Sequence, residues 1–369
     1  MIKKFFVFGN IGKMTELPKS GGQSSARRVM QGLERMGYET VPIVRRRCVL
    51  EGKIIHFLET RSFAVIDLLK ILRHIVLANR KTSAFLTLTF GGKLAPYELL
   101  ISVIVRMLGL KTVTYMQGGQ FIDFYNRGAK FYRWLIKKNM DLQSQVWFEG
   151  MPSLEVVRRI SDTPLVYYPS YVDQENIVSR IPERPKDRFN LCYFGRVTPE
   201  KNVDVIIKTF HLLCEKYDDV YLTVIGGSGY SKAYVEEVDG MIENSPFKSH
   251  ITRKGLTPFD EIKEIMQSQH LFVFPTKERC EGHSNSLNEA MAQGLVPIVS
   301  DYHFNRRDVG GDDRLAVNGW EPQDYADRIA HIRETCDLQE IAVKMRNRVM
   351  ENYSREVVNK RLFEELKKI

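Results

Sequence analysis

The chain of 369 residues has no apolar run approaching the ~20 residues that a bilayer-crossing helix needs. Its longest candidates, residues 64–78 (AVIDLLKILRHIVLA) and 97–110, are shorter, and the first is interrupted by Lys70, Arg73 and His74; each reads as a helix packed against a sheet. The opening MIKKFFVFGN is too short for a signal peptide and stops at Gly9, so a strand from Lys4 to Phe8 is expected there. The five cysteines, 48, 192, 214, 280 and 336, are odd in number and scattered, with no C-x-x-C pair, and read as reduced thiols of a cytoplasmic protein. No Asp-x-Asp occurs and the eight histidines form no ligand-spaced cluster, so a metal holding a diphosphate is not expected. Zinc-finger spacing, RNP aromatics and heptad blocks are missing, which excludes the common nucleic-acid modules. Neither G-x-G-x-x-G nor a P-loop is present.

What is present describes a globular protein: 43% hydrophobic and 27% charged residues, long enough for two domains. The net charge of +9 and pI of 9.1 call for acidic partners, whether nucleic acid, anionic lipid or phosphorylated substrates. The first strand leads into a glycine-rich loop, a helix over 24–36 stopped by Gly37, and a strand over 38–44. The Gly21-Gly22 pair before that helix either lets backbone amides approach a phosphate or sugar, or supplies loop flexibility. VTYMQGGQ (113–120) is a strand and a turn. Residues 121–138 (FIDFYNRGAKFYRWLIKK) interleave aromatics with five basic residues, a composition for a membrane surface, for a lipid-linked diphosphate, or for a solvated basic helix. The proline-rich, charged 180–188 reads as a linker or surface loop.

From residue 190 the pattern is strand, Gly195-Arg196-Val-Thr-Pro-Glu-Lys201-Asn, helix, strand and Gly-Gly-Ser-Gly. Arg196 and Lys201 fall where a strand's carboxyl end meets a helix, a place to neutralise a diphosphate. A short strand over 251–256 follows, then a helix over 258–269. The stretch 270–300 is a βαβ unit: a buried strand, a loop over 277–286, a helix over 287–293 stopped by Gly294, and a second buried strand. Ligands of such sheets sit off the carboxyl ends of the strands, which places that loop at a site. Ser286 and Glu289 fit the S-x-x-E capping box, so Glu289 is either a cap or a ligand. Glu281, beside Gly282 and ahead of a helix N-terminus that favours anions, suits a ligand with both phosphate and sugar hydroxyls: a nucleotide sugar.

E281-GHSNSLN-E289-AMAQGLVPI resembles the E-x7-E signature of retaining glycosyltransferases of family 4, which include glycogen synthases and many bacterial polysaccharide and lipopolysaccharide transferases. The likeness is strong over residues 190–300 and looser before 175. It implies an α/β chain of the GT-B class: two Rossmann-like domains with parallel sheets facing a central cleft, and a last helix crossing back to the N-terminal domain. The expected divisions are an acceptor-binding domain over 1–173, a nucleotide-sugar-binding domain over 174–352, and a returning helix over 353–369. The resemblance assigns the donor diphosphate to Arg196 and Lys201, donor-sugar hydroxyls to Glu281, the ribose to Glu289, and the nucleobase to the backbone at Gly255 and Leu256. Gly21, Gly22, Gly195, Gly282, His283, Ser284, Asn285, Ser286 and Leu287 complete the donor side. Glu281, Arg196 and Lys201 are the expected catalytic set; His283 tempts one to propose a general base, but the family varies at that point, and the residue is assigned to donor binding alone. On the acceptor side Gln117, followed by Gly118, stands where the family often has histidine, and keeps hydrogen-bonding capacity without ionising. The implied reaction is metal-independent hexosyl transfer with retention, from a UDP-sugar or GDP-mannose to a glycan or polyprenyl-diphosphate-linked acceptor. No cofactor and no nucleic acid partner is expected. The location read from the thiols and from residues 121–138 is cytoplasmic, with peripheral contact to an anionic membrane. A nucleotide-sugar epimerase or phosphorylase of similar shape and a non-catalytic scaffold are the competing readings.

Overall fold

The computed structural model describes residues 2–16, 21–46, 53–88, 91–228, 231–279 and 282–369. They fall into two compact units, one of residues 1–169 with 358–369, the other of residues 170–357.

Unit 1 runs β1 (Lys4–Gly9), α1 (Gly21–Arg35), β2 (Glu39–Val44), α2 (Lys53–Ile75), β3 (Ser83–Thr87), α3 (Ala95–Met107), β4 (Lys111–Met116), α4 (Gln120–Arg127), α5 (Lys130–Asp141), β5 (Gln145–Phe148), α6 (Met151–Arg158) and β6 (Leu165–Tyr167). The strands form one parallel sheet in the order β2-β1-β3-β4-β5-β6. Period-two alternation splits their side chains between two faces. Phe6, Phe8 and Phe85 meet Ile71 and Ile75 of α2 and Ile101 and Val105 of α3. Farther along the same face, Met116, Val146 and Phe148 meet Ile136 and Met140 of α5. On the opposite face Phe5 packs edge-on against Tyr38 and near Trp147. Tyr38 in turn meets Phe363.

Residues 121–138 do not form one helix. They break at Gly128, where an added Cβ would lie 2.4 Å from Tyr132 and 2.8 Å from the Phe124 carbonyl. Arg133 reaches back across the break to the Tyr125 and Asn126 carbonyls, at 3.1 and 2.7 Å.

Unit 2 runs β7 (Phe189–Phe194), α7 (Val203–Cys214), β8 (Val220–Ile225), α8 (Lys232–Glu243), β9 (Ile251–Lys254), α9 (Phe259–Met266), β10 (Leu271–Phe274), α10 (Asn285–Ala292), β11 (Val296–Ser300), α11 (Asn305–Asp308), β12 (Ala316–Val317), α12 (Pro322–Thr335) and α13 (Leu338–Asn352). Its strands are also all parallel, in the order β12-β11-β10-β7-β8-β9. The final helix, α14 (Arg355–Leu366), carries the chain back to unit 1, where the Gln145 side-chain amide donates to the Glu365 carbonyl at 2.6 Å.

Residues 180–188, expected as a linker or loop, have no helix or strand but are firmly held. The Arg184 guanidinium donates to the carbonyls of Met266 and Gln267 at the end of α9 and of Gln293 and Gly294 at the end of α10. Burial lowers its pKa to about 10.

The two units divide charge unequally. Unit 1 has 30 Lys and Arg against 14 Asp and Glu, a net +16; unit 2 has 24 against 31, a net −7. Large exposed apolar side chains are also uneven: ten of the fourteen among the described residues lie in unit 1. No described helix is long and apolar enough to cross a membrane.

Candidate functional site

In unit 2 the chain adds strands to one side of β7 and then returns to its other side with β10, so the loops after β7 and β10 lie side by side at the point of reversal, where sheets of this kind bind ligands. Both loops carry charge. Arg196 Nη2 lies 2.8 Å from Glu278 Oε2, and Lys201 Nζ lies 3.9 Å from the same oxygen and 5.0 Å above the Phe274 ring. Lys201 is 5% and Glu278 7% exposed, so this is a largely buried charge cluster in which only Arg196 reaches solvent. Backbone ties fix the loops to each other. Lys277 N–H donates to the Glu200 carbonyl at 2.7 Å, and the Asn202 amide donates to the Pro275 carbonyl at 2.9 Å. Asn202 does so from a left-handed backbone (φ 50°). Glu278 was not a candidate from sequence. Its partner is 82 residues away, so no local spacing marks it.

Glycines form the floor beside this cluster. Gly195 N–H donates to the Ile225 carbonyl and Gly226 N–H to the Lys254 carbonyl, each at 3.0 Å. At Gly226 (φ 146°) a Cβ would stand 1.7 Å from the Gly195 carbonyl oxygen, so neither chain could approach the other with a side chain there. Gly255 and Leu256 follow β9, with Leu256 exposed above Gly227.

Glu281 lies outside the described residues. From Gly282 onward the loop is buried, and α10 starts two residues earlier than expected. Its N-cap is Ser284, whose hydroxyl accepts from Leu287 N–H at 3.4 Å. The capping box of Ser286 and Glu289 is therefore not used: Asn285 and Ser286 already form the first turn, and the half-buried Glu289 lies within the helix. The side chain of His283 is not available as a base. The residue is 3% exposed, with Nδ1 2.9 Å from the Asn288 amide, Nε2 3.6 Å from Asp308 Oδ1, and its ring 4.4 Å from that of Tyr353. Burial lowers its pKa to about 3, so the imidazole is neutral and turned into the interior.

In unit 1 the reversal lies between β1 and β3. Gly21 and Gly22 belong to the first turn of α1, not to a loop before it, and a Cβ at Gly22 would meet open space. Gln117 donates to the Ser25 hydroxyl of α1 at 3.2 Å, and Gly118 N–H donates to the buried Glu149 carboxylate at 2.8 Å. Among the described residues no three His, Cys, Asp or Glu side chains gather as a metal ligand set.

Residues 174–352 match the family Glycosyl transferases group 1. The uncharacterized glycosyltransferase YqgM of Bacillus subtilis is 28% identical over 135 residues, 36% of this chain and 35% of that protein. The chain spans at most about half the length of the curated relatives it matches. Among solved structures, sucrose-phosphate synthase from Thermosynechococcus elongatus superposes with a TM-score of 0.75 at 13% identity, covering 99% of this chain and 98% of that one. Anabaena Alr3699/HepE, solved in complex with UDP, gives 0.72 at 11% identity over 100% of both chains. Residues 174–352 are thus similar to the Glycosyl transferases group 1 family, within a chain whose two parallel sheets have the GT-B fold.

Proposed function

We propose that the protein is a retaining glycosyltransferase that moves a sugar from a nucleotide-sugar donor, in the first instance a UDP-sugar, to a hydroxyl of a glycan or lipid-linked acceptor, without a metal. The observation that carries this reading is the convergence of Arg196 and Lys201 at the reversal point of the unit 2 sheet. Two cations fixed beside a floor of bare backbone suit a diphosphate, and a uridine nucleotide is supported by the UDP bound to Alr3699/HepE.

In the proposed reaction the bond from the sugar's anomeric carbon to the diphosphate breaks, and Arg196, Lys201 and the N-terminal turn of α10 offset the charge on the departing nucleoside diphosphate. One such preorganised donor is typically worth ~3 to 4 kcal/mol of barrier. The acceptor hydroxyl attacks from the face the diphosphate leaves, and the phosphate takes its proton. Glu281 holds sugar hydroxyls, Glu289 the ribose, and the backbone at Gly255 and Leu256 the base. Unit 1 takes the acceptor near Gln117 and Gly118.

The deciding experiment is thermal stabilisation by UDP, GDP and ADP in EDTA. A ligand at about 100 times its dissociation constant stabilises by ~2.7 kcal/mol. A shift selective for one base, lost in Arg196→Ala, is expected; no shift with any nucleotide overturns the donor site. Glu281→Ala should melt as the wild type does while losing sugar transfer, and wild-type turnover in that variant would remove Glu281 from the mechanism.

A further inference from the structure

Helices α2, α3 and α5 cover one face of the unit 1 sheet, and their outward sides are unusually apolar. Inward stripes account for Ile71 and Ile75, Ile101 and Val105, and Ile136 and Met140. The opposite stripes carry Val65 and Leu69 on α2, with Val76 just past its end, then Leu100 and Met107 on α3, all exposed, Met107 by 82%. On α5 Phe131 and Trp134 are 67% and 50% exposed and stack on each other at 5.8 Å. A buried polar clasp fixes α3 beside α5: the Ser102 hydroxyl donates to Asn139 at 2.7 Å and the Gln143 amide donates back to Ser102 at 3.0 Å. The outer stripes of these two helices are therefore neighbours on one rigid layer.

Cations are interleaved with the apolar groups. Lys130 and Lys138 on α5, and Arg127 at the end of α4, are exposed, and no described carboxylate pairs with them. Arg133 and Lys137, by contrast, are turned to backbone carbonyls. Lys138 continues the Phe131–Trp134 stripe at helical spacing. Aromatic rings at headgroup depth with lysine and arginine beside them are the composition of an interfacial membrane anchor. The net +16 of unit 1 opposes pairing of this face with a second copy of itself and favours an anionic surface.

We infer that the outer layer of α2, α3 and α5 docks the protein on an anionic lipid bilayer, with Phe131 and Trp134 entering the headgroup region and Arg127, Lys130 and Lys138 pairing with lipid phosphates. Docking is peripheral and independent of any donor or acceptor, so its test does not depend on the glycosyltransferase reading.

The full chain is mixed with extruded vesicles of phosphatidylcholine alone, or with about one-third phosphatidylglycerol, and sedimented at near-physiological salt. Partition to the anionic vesicles should exceed that to neutral ones by tenfold or more and collapse at about 0.5 M salt. Phe131→Ser with Trp134→Ser should lower it by about tenfold, as should Lys130→Glu with Lys138→Glu, with melting unchanged because all four side chains are on the surface. Equal partition of both variants and the wild type overturns the assignment. So does a wild type that ignores vesicles but forms a dimer that Phe131→Ser with Trp134→Ser dissociates, or one retained on nucleic acid instead.

Discussion

The two units are built to the same plan, six parallel strands with one reversal each, yet they use it differently. Unit 2 concentrates its unusual features at the carboxyl edge of its sheet: a buried Lys–Glu–Arg cluster, two glycines in backbone contact and an interior histidine behind the α10 loop. Unit 1 places fewer constraints at that edge, where a Cβ on Gly22 would find open space, and more on the outside of its helices. On the two proposed readings, one fold serves recognition of a small anion through backbone and buried charge, and recognition of an extended surface through exposed side chains. The net −7 of unit 2 fits this division, since its cations act locally and not as a field.

Glycine replacement should expose the contrast most sharply. Gly226→Ala forces a Cβ against the Gly195 carbonyl at a positive φ, and unit 2 should lose about 4 kcal/mol. Gly22→Ala in unit 1, helical and uncrowded, should be neutral or stabilise by about 0.5 kcal/mol. Urea unfolding of both variants measures this, and equal effects would erase the distinction between the two edges.

Acid should separate the units next. His283 and His270, both in unit 2, are lowered by burial from 6.5 to about 3 and about 4. The unfolded chain then binds more protons than the folded one between those values and 6.5. Stability is fully present above pH 6.5 and is lost as pH falls below it, by about 1 to 2 kcal/mol per histidine down to about pH 5. Melting of the wild type and of His283→Gln across that range gives the slope, which should be shallower in the variant; parallel curves would show that His283 does not titrate on unfolding.

The smallest effect concerns Glu278. Its carboxylate competes with any bound diphosphate for Arg196 and Lys201, so Glu278→Gln should tighten UDP binding by about fivefold in calorimetry. Weaker binding would mean that the carboxylate holds the cations in position more than it opposes the ligand.

The alternation of elements was readable because parallel strands buried on both faces leave unbroken apolar runs such as Leu271–Phe274, punctuated by glycine and proline. The place of Arg196 and Lys201 at the edge of the sheet was readable for a similar reason, since a loop between a strand's end and a helix is a local feature. What escaped depends on distance in the chain or on a choice between equivalent local signals. Ser284 and Ser286 both offer an N-cap, and the α10 start follows the burial of His283 against Tyr353, seventy residues on. The outer faces of α2 and α3 escaped because both helices are apolar on more than one side, and periodicity alone does not say which stripe finds the sheet.

The contact between Gly195 and Gly226 also limits how this protein can change. A surface made only of peptide groups presents the same donors and acceptors in every sequence that preserves the turn, and substitution there removes the fold before it alters a preference. Divergence in what the proposed donor site accepts must therefore arise at its rim, where exposed residues such as Leu256 can be exchanged at little cost to the rest. The floor admits no side chain, and the rim is where substitution can act.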